Sequence, residues 1–289
     1  MILQLRCGKT LTDKVDIRDM KDLMNRAQCS SAHPCCIIVL IDQSVMMAER
    51  SNVNESFSVK ATKEVNRLID RLIEIHFDGE KPRNRCFISI LGYNNEVNEL
   101  TSGWLRDFEE KVLRFEDKMM TIPDGAGGTI DINVKIPEWI DPIAEDNSNI
   151  AKALMKAESI SQKWVKDFPE NPTPIIYHIS SLPSFLKCHF RCAKEITHIS
   201  DRIRNTLNNS GDPTLIINTY LSRDTVEQKL MSDNEMLILQ NMSSEVNEDY
   251  MSMYRWKWDS RLFENGYMFE IVEDKIQSPQ FICHLTSRW

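Results

Sequence analysis

A continuous apolar run is the clearest element in the pattern of hydrophobic and polar positions along the chain. Residues 36–41 are all apolar, and the run stops at Asp42, which is followed by Ser44. An apolar run without alternation is typical of a strand that is covered on both faces, as in the middle of a parallel sheet. Ligands of such sheets bind beyond the carboxyl ends of the strands. Asp42 and Ser44 are therefore the first candidate site residues.

Strands and helices alternate along most of the remaining chain. A helix over 60–76 is predicted from an apolar stripe at helical spacing, and another is predicted to begin at a cap formed by Asn147 or Ser148. Further strands are predicted at 85–93, 96–101, 130–136, 172–183 and 213–221. Further helices are predicted at 107–120 and 191–205, with a strand or short helix at 235–244. The expected fold class is α/β: a Rossmann-like, doubly wound, mostly parallel sheet with helices on both faces and one antiparallel edge strand.

Two histidines fall within these predicted elements. His76 ends the helix predicted over 60–76, and we expect it to face the helix dipole or solvent. His178 lies inside an apolar strand, where a core or interface histidine is expected. Neither position indicates a ligand.

The motif Asp42-x-Ser44-x-Met46 resembles the Asp-x-Ser-x-Ser opening of the von Willebrand factor type A (vWA) domain. In that family the motif belongs to a metal-ion-dependent adhesion site, which holds a divalent cation. Two later segments resemble the second and third metal loops, with Ser148 at the threonine ligand and Ser181 at the supporting aspartate. The resemblance covers about residues 35–245 and implies a vWA domain of the bacterial intracellular type.

Two substitutions alter the metal site that this resemblance implies. Met46 replaces a hydroxyl ligand by a thioether, which is too soft a ligand for magnesium or calcium. Ser181 replaces a carboxylate and so removes a negative charge that would balance the cation. Asp42, Ser44 and Ser148 thus form a candidate degenerate metal site. The expectation is no cofactor, or weakly bound Mg²⁺.

Length and charge limit the remaining possibilities. The chain has 289 residues and a formal net charge of −8, which argues against a nucleic-acid-binding surface. No stretch approaches the apolar length of a membrane span, and the N-terminus lacks the apolar core of a signal peptide, so a cytoplasmic protein is expected. We expect a vWA-like domain over 35–245, an N-terminal extension over 1–34, and a C-terminal extension over 246–289 packed on the domain.

The eight cysteines are expected to be free, buried thiols. Two groupings suggest half of a zinc site, one from Cys29 through His33 to Cys36 and one from Cys188 to Cys192. Neither has two Cys-x-x-Cys pairs at zinc-finger spacing, so zinc is disfavoured for both. The i, i+4 spacing of Cys188 and Cys192 is equally what the buried face of a helix shows.

The function that the resemblance implies is binding rather than catalysis. In the vWA family a partner's acidic side chain fills the open position on the cation. We therefore expect a non-enzymatic protein-interaction or scaffolding module of a bacterial multi-protein system of the stress or defence type, with no nucleic acid or membrane partner. The alternative is a phosphoryl-transfer or hydrolytic enzyme with Asp42 as nucleophile, although position 44 lacks the second carboxylate that this chemistry needs. A third possibility is an assembly subunit with an interface around Trp256 and Trp258.

Overall fold

The structure is a computed structural model, and it describes residues 29–50, 54–125, 127–186, 192–223, 231–246, 266–273 and 275–287. Three predictions lie wholly or partly outside these residues: the N-terminal extension over 1–34, the role of Cys188, and the segment around Trp256 and Trp258. Within the described residues, no helix is both long enough and apolar enough to span a bilayer.

One six-stranded sheet forms the centre of the molecule. Its strands are β1 (Cys35–Asp42), β2 (Cys86–Tyr93), β3 (Val97–Trp104), β6 (Ile175–Ser181), β7 (Leu215–Leu221) and β8 (Phe269–Val272). The spatial order is β3-β2-β1-β6-β7-β8, and all neighbours are parallel except β2 and β3. The predicted mostly parallel sheet with one antiparallel edge strand is confirmed. The order reverses between β1 and β6, which is the topological switch point of a doubly wound sheet.

Helices cover both faces of this sheet: α1 (Phe57–His76), α2 (Ile150–Asp167), α3 (Ala193–Arg204), α4 (Asp233–Met242) and α5 (Ser278–Thr286). Alternate residues of β1 enter two separate cores. Ile37 and Val39 pack with α1 and α5, whereas Ile38 and Leu40 pack with the other three helices. This double burial explains why β1 is apolar without alternation.

The first helix is longer than predicted, because Ser56 caps it by accepting a hydrogen bond from the Val59 amide. Most of the predicted stripe is buried, but Ile75 is 36% exposed. The expectation that His76 faces solvent is wrong, because its side chain is only 2% exposed. Its position in the last turn of the helix, at the negative end of the dipole, is as predicted.

The second helix begins one or two residues later than the predicted caps imply. Its cap is Asn149, whose side chain accepts a hydrogen bond from the Lys152 amide at 3.2 Å. Neither Asn147 nor Ser148 is the cap. Ser148 is thereby left in the loop that precedes the helix, close to the carboxyl end of β1.

An antiparallel hairpin is inserted between β3 and α2. Its strands are β4 (Arg114–Pro123) and β5 (Thr129–Glu138), which pair along their full length. The helix predicted over 107–120 is therefore wrong: a 3₁₀ helix ends at Lys111, and the charged segment after it is held as a strand by its ladder to β5. The turn includes Gly125 and Gly127, both with positive φ, which glycine adopts without strain.

Two further findings concern the chain beyond the central strands. The segment at 235–244, predicted as strand or short helix, is the helix α4, with a capping box between Ser232 and Glu235. The domain boundaries at 34 and 245 stay a prediction. In the structure β8, which follows residue 245, pairs with β7 in the same sheet.

The expectation of free thiols is wrong for two cysteines. Cys29 and Cys35 form a disulfide, while Cys36, Cys86 and Cys283 are free.

Candidate functional site at the carboxyl end of β1

Asp42 ends β1 beside the switch point and has no exposed surface. Both of its carboxylate oxygens accept hydrogen bonds. Oδ1 accepts from the Ser44 amide at 2.8 Å. Oδ2 accepts from the Ser180 hydroxyl at 2.6 Å and from the Ser184 hydroxyl at 2.7 Å. We call Asp42, Ser44, Ser180 and Ser184 the Asp42 cluster.

Strand register and a tight turn place the Ser180 and Ser184 hydroxyls beside the Asp42 carboxylate. In the parallel ladder Ile41 pairs with Ile179, so Ser180 comes level with Asp42 one step later. Ser181 then caps a helical turn over Leu182–Ser184 by accepting a hydrogen bond from the Ser184 amide at 3.1 Å. This turn brings the Ser184 hydroxyl back to the carboxylate.

The predicted site residues therefore have different roles from those implied by the resemblance. Asp42 and Ser44 lie together, with the Ser44 hydroxyl 3.3 Å from that of Ser184. Ser181 is a helix cap. Met46 lies in a 3₁₀ turn over Val45–Ala48 and is half-buried. The loop before Ser148 is joined to this turn, because the Val45 amide donates to the Asp146 carbonyl at 2.8 Å.

Ser148 lies at the same end of the sheet but makes no hydrogen bond to Asp42. Its hydroxyl oxygen is buried and has no hydrogen-bond partner with ordinary geometry. It is nevertheless close to Tyr93: burial raises the pKa of this phenol well above its usual value, and Ser148 is among the groups that oppose the shift. The Ser148 oxygen is thus the one predicted ligand atom that the protein leaves unsatisfied in this region.

A chain of neutral polar groups continues from Tyr93 across the sheet. The Tyr93 hydroxyl donates to His178 Nε2 at 2.7 Å, and His178 Nδ1 donates to the Asn218 oxygen at 2.9 Å. The Asn218 amide in turn donates to the Ser243 hydroxyl at 2.8 Å. Burial lowers the pKa of His178 to about 4, and the bond to Asn218 opposes this only in part. His178 is therefore a neutral core histidine, as predicted.

The donor set of the Asp42 cluster does not fit a resident divalent cation. Magnesium and calcium need several oxygen ligands in good geometry, and at least one of these is normally a carboxylate oxygen that is free to bind. Burial raises the pKa of Asp42, and the hydrogen bonds from Ser180, Ser44 and Ser184 oppose this rise. The same hydrogen bonds occupy both carboxylate oxygens. Among the described residues, Asp42 belongs to no group of three or more acidic, histidine or cysteine ligand atoms. Three hydrogen donors here satisfy the carboxylate that a cation would otherwise neutralise.

Sequence reasoning missed Ser180 and Ser184, the two hydroxyls that satisfy Asp42. The signal was present, since the apolar strand β6 ends in Ser180-Ser181-Leu-Pro-Ser184, which is unusually rich in hydroxyls. Attention to the family position at Ser181 left its neighbours unconsidered.

Comparison with known proteins gives structural likeness without sequence likeness. No family model and no curated protein matches the chain. The conserved hypothetical protein BatB from Bacteroides thetaiotaomicron aligns at 11% identity and TM-score 0.43, covering 87% of this chain and 96% of that one. The ArnB paralog VWA2 from Sulfolobus acidocaldarius aligns at 16% identity and TM-score 0.40, covering 89% of this chain and 46% of that one.

A minor pilin, PilB from Streptococcus sanguinis, aligns at 10% identity and TM-score 0.42, covering 87% of this chain and 60% of that one. Every one of these TM-scores is below 0.5, so the likeness carries no argument for a shared function. The fold class rests on the strand order of the sheet itself.

Proposed function

We propose that this protein is a non-catalytic, vWA-like protein-interaction module that binds its partner at the carboxyl end of the sheet without a metal ion. The observation that carries the proposal is the closed Asp42 cluster. Its carboxylate is fully buried and accepts three hydrogen bonds from the protein. Neither a cation nor a partner's side chain finds a free oxygen on Asp42.

The same burial argues against the enzymatic alternative. A nucleophilic carboxylate has to reach its substrate, and Asp42 has no surface from which to do so. A role for Asp42 in holding the loops together agrees better with its contacts to β6 and to the turn after it.

The exposed rim above the cluster indicates the chemistry of the partner. Val45 is 52% exposed, and Met46 beside it is half-buried. Glu145 and Asp146, on the loop bonded to this turn, are exposed carboxylates. Without a cation this rim repels an acidic side chain, so we propose a partner with an apolar residue for Val45 and basic residues around it. Assignment to a bacterial stress or defence system, in the cytoplasm, is part of the same proposal and rests on the family resemblance.

The test is capture of partners by the immobilised full chain, with and without a chelator of divalent cations. A matched pair of variants exists, because Val45 and Leu237 are each 52% exposed and lie on different elements. We expect Val45→Glu to lose the captured protein while Leu237→Glu retains it, and we expect the chelator to change neither result. Capture that the chelator abolishes, or that both variants lose equally, would contradict the proposal.

A second candidate binding surface lies between α2 and the β2–β3 edge. A cavity of about 260 Å³ is lined there by aromatic side chains, including Trp104, Trp164 and Phe168. The hydroxyl of Ser89, which also lines the cavity, is buried and has no hydrogen-bond partner. This volume suits one side chain or a small ligand. A partner lost by Phe168→Glu but kept by Val45→Glu would move the interface to this cavity.

A further inference from the structure

Three sulfurs meet at the amino end of the sheet, at the opposite end of β1 from Asp42. The Sγ atoms of Cys29, Cys35 and Cys86 lie within 4.8 Å of one another, and all three residues are buried. In the part of the chain that the structure describes, no other group of three or more cysteine, histidine or acidic ligand atoms comes this close together. We call these residues the thiol cluster.

The cluster is assembled by strand register and by the end of α1. Cys35 and Cys86 are the first residues of β1 and β2 and pair directly in the parallel ladder, so their side chains share one face of the sheet. Their sulfurs are 3.2 Å apart. Cys29 reaches the same face from the loop before β1. His76, the last residue of α1, places its Nε2 atom 3.6 Å from the Cys86 sulfur.

The hydrogen bonds of the protein do not satisfy both ring nitrogens of His76. The residue is 2% exposed, and its second ring nitrogen, Nδ1, is buried without a hydrogen-bond partner. A buried imidazole with one nitrogen directed at a thiol and the other unpaired gains little from the protein alone. It is, however, suitable as a metal ligand in its neutral form.

The cluster is oxidised in the structure, since Cys29 and Cys35 form a disulfide. A dithiol reductant opens this bond by supplying two electrons and two protons: the S–S bond breaks, two thiols form, and the reductant becomes a disulfide. Such reductants keep thiols reduced in a cytoplasmic compartment, which is the location expected for this chain. Reduction leaves three thiols and an imidazole together in the core.

We propose that the reduced chain binds one Zn²⁺ through the three thiolates of the thiol cluster and the His76 imidazole. In tetrahedral zinc sites of this composition, neighbouring ligand atoms are about 3.5–3.8 Å apart. The three sulfurs already lie within 4.8 Å of one another, with those of Cys35 and Cys86 3.2 Å apart. His76 Nε2 is 3.6 Å from the Cys86 sulfur but is not within 4.8 Å of all three, so the His76 side chain has to move towards the other two to complete that geometry. Each thiol releases its proton as it binds, so three protons leave for each zinc ion.

Zinc is favoured over the other divalent cations by ligand type. Thiolate and imidazole are soft or borderline ligands, which magnesium and calcium do not select. Three thiolates around Zn²⁺ leave one net negative charge in the core. Burial lowers the pKa of His76 and raises that of Cys86, and the nearby charge of Arg85 lowers both pKa values. The same positive charge would offset the negative charge of the zinc site.

Only two members of the Cys29–Cys36 grouping in the sequence belong to the proposed zinc site. Cys29 and Cys35 belong to it, but Cys36 points to the opposite core, and His33 is exposed and lies near the Asn171 side chain instead. Cys86 and His76 complete the site from β2 and α1. The zinc ion would join the loop before β1, two strands and the end of a helix.

The test uses the full chain, reduced with a phosphine and loaded with zinc or cobalt(II) before extensive dialysis. We expect one equivalent of zinc per chain by elemental analysis, and visible bands typical of tetrahedral thiolate coordination in the cobalt(II) form. Cys86→Ser should weaken zinc binding by more than about 100-fold, which exceeds the effect of an outer-shell change. Cys36→Ser is the matched control, because it removes a buried thiol one residue from Cys35 on the other face.

Cys29→Ser gives a second readout if Cys86→Ser fails to fold, since Cys29 precedes the sheet. It should also lose the zinc, whereas oxidised wild-type chain should not bind any. The proposal is overturned if the reduced chain retains no zinc, if the oxidised chain retains as much, or if Cys36→Ser loses as much as Cys86→Ser.

Discussion

The two ends of β1 carry polar clusters of opposite chemical character. At the carboxyl end, Asp42 is surrounded by hydroxyl and amide donors, and its three hydrogen bonds satisfy both oxygens. At the amino end, Cys35 lies beside the sulfurs of Cys29 and Cys86, and the His76 imidazole contacts Cys86. Thiols are weak hydrogen-bonding groups. The comparison shows that ligand atoms can lie close together without being available to bind a metal ion. Oxygen ligands that hydrogen-bond with their neighbours are occupied, whereas the clustered sulfurs become available to a metal when the Cys29–Cys35 disulfide is reduced.

The largest expected effect comes from removing the carboxylate at the occupied end. Asp42→Ala leaves the Ser180 and Ser184 hydroxyls and the Ser44 amide buried without their acceptor, which should cost about 3 kcal/mol or more of unfolding free energy. Urea denaturation measures this loss. Asp42→Asn is the control that keeps the shape and one acceptor, and it should lose less. Equal midpoints for Asp42→Ala and wild type would show that the carboxylate is not satisfied by the cluster.

A pH titration sharpens the comparison through His178, the neutral histidine beside the Asp42 cluster. Its folded pKa is lowered by burial to about 4, below the ordinary value of 6.5. The unfolded chain therefore binds the proton first, so the stability is complete above pH 6.5 and falls as the pH drops towards 4. The loss should approach about 3 kcal/mol.

The same titration on His178→Gln isolates this contribution. The buried carboxylates Asp42 and Glu270, whose pKa values burial raises, act in the opposite direction in both proteins. The difference between the two curves of unfolding free energy against pH should therefore show the histidine alone. Parallel curves for wild type and variant would contradict the neutral assignment.

A matched pair of serines separates an occupied hydroxyl from an unoccupied one. Ser184 donates to the Asp42 carboxylate, so Ser184→Ala should cost about 1.5–3 kcal/mol of unfolding free energy. The Ser148 hydroxyl has no partner with ordinary geometry, so Ser148→Ala should stay within about 0.5 kcal/mol of wild type. Equilibrium unfolding in urea measures both. A larger loss for Ser148→Ala would indicate that its hydroxyl is a functioning part of the site.

The smallest expected effect is that of magnesium at the carboxyl end. Because both Asp42 oxygens are occupied, millimolar Mg²⁺ should leave the Tm of the chain unchanged and give no saturable heat in calorimetry. Saturable binding of one equivalent, lost in Asp42→Asn, would restore the metal site that the vWA resemblance implies.

The position of Asp42 at the carboxyl end of β1 was predictable from the sequence because its signal is local, whereas the Ser180 and Ser184 hydroxyls that satisfy its carboxylate were not predicted. An unalternating apolar run ending at Asp42 predicts both the central strand and the site at its end. The same kind of local reasoning failed for β4, since its charged residues suggested a helix and only the ladder to β5 makes it a strand.

The amino end was not predictable, because it depends on contacts between distant segments. The grouping around Cys29 and Cys35 suggests half of a zinc site, but free, buried thiols are preferred from the sequence, and Cys86 joins the two cysteines only through the register of β2 on β1. His76 was assigned to the helix dipole or solvent, and nothing in its local sequence shows that the end of α1 turns towards β2. Residues that parallel strand pairing brings together are far apart in the sequence, so they form no motif of fixed spacing.

The length of β1 determines how the two clusters act on each other. Its eight residues separate Cys35 from Asp42 by about 23 Å, at roughly 3.3 Å for each step along the strand. Substitutions that far apart and without shared partners have additive effects. The losses of unfolding free energy caused by substitutions in the two clusters should therefore add. Each cluster can then be studied in a protein whose other cluster has been changed.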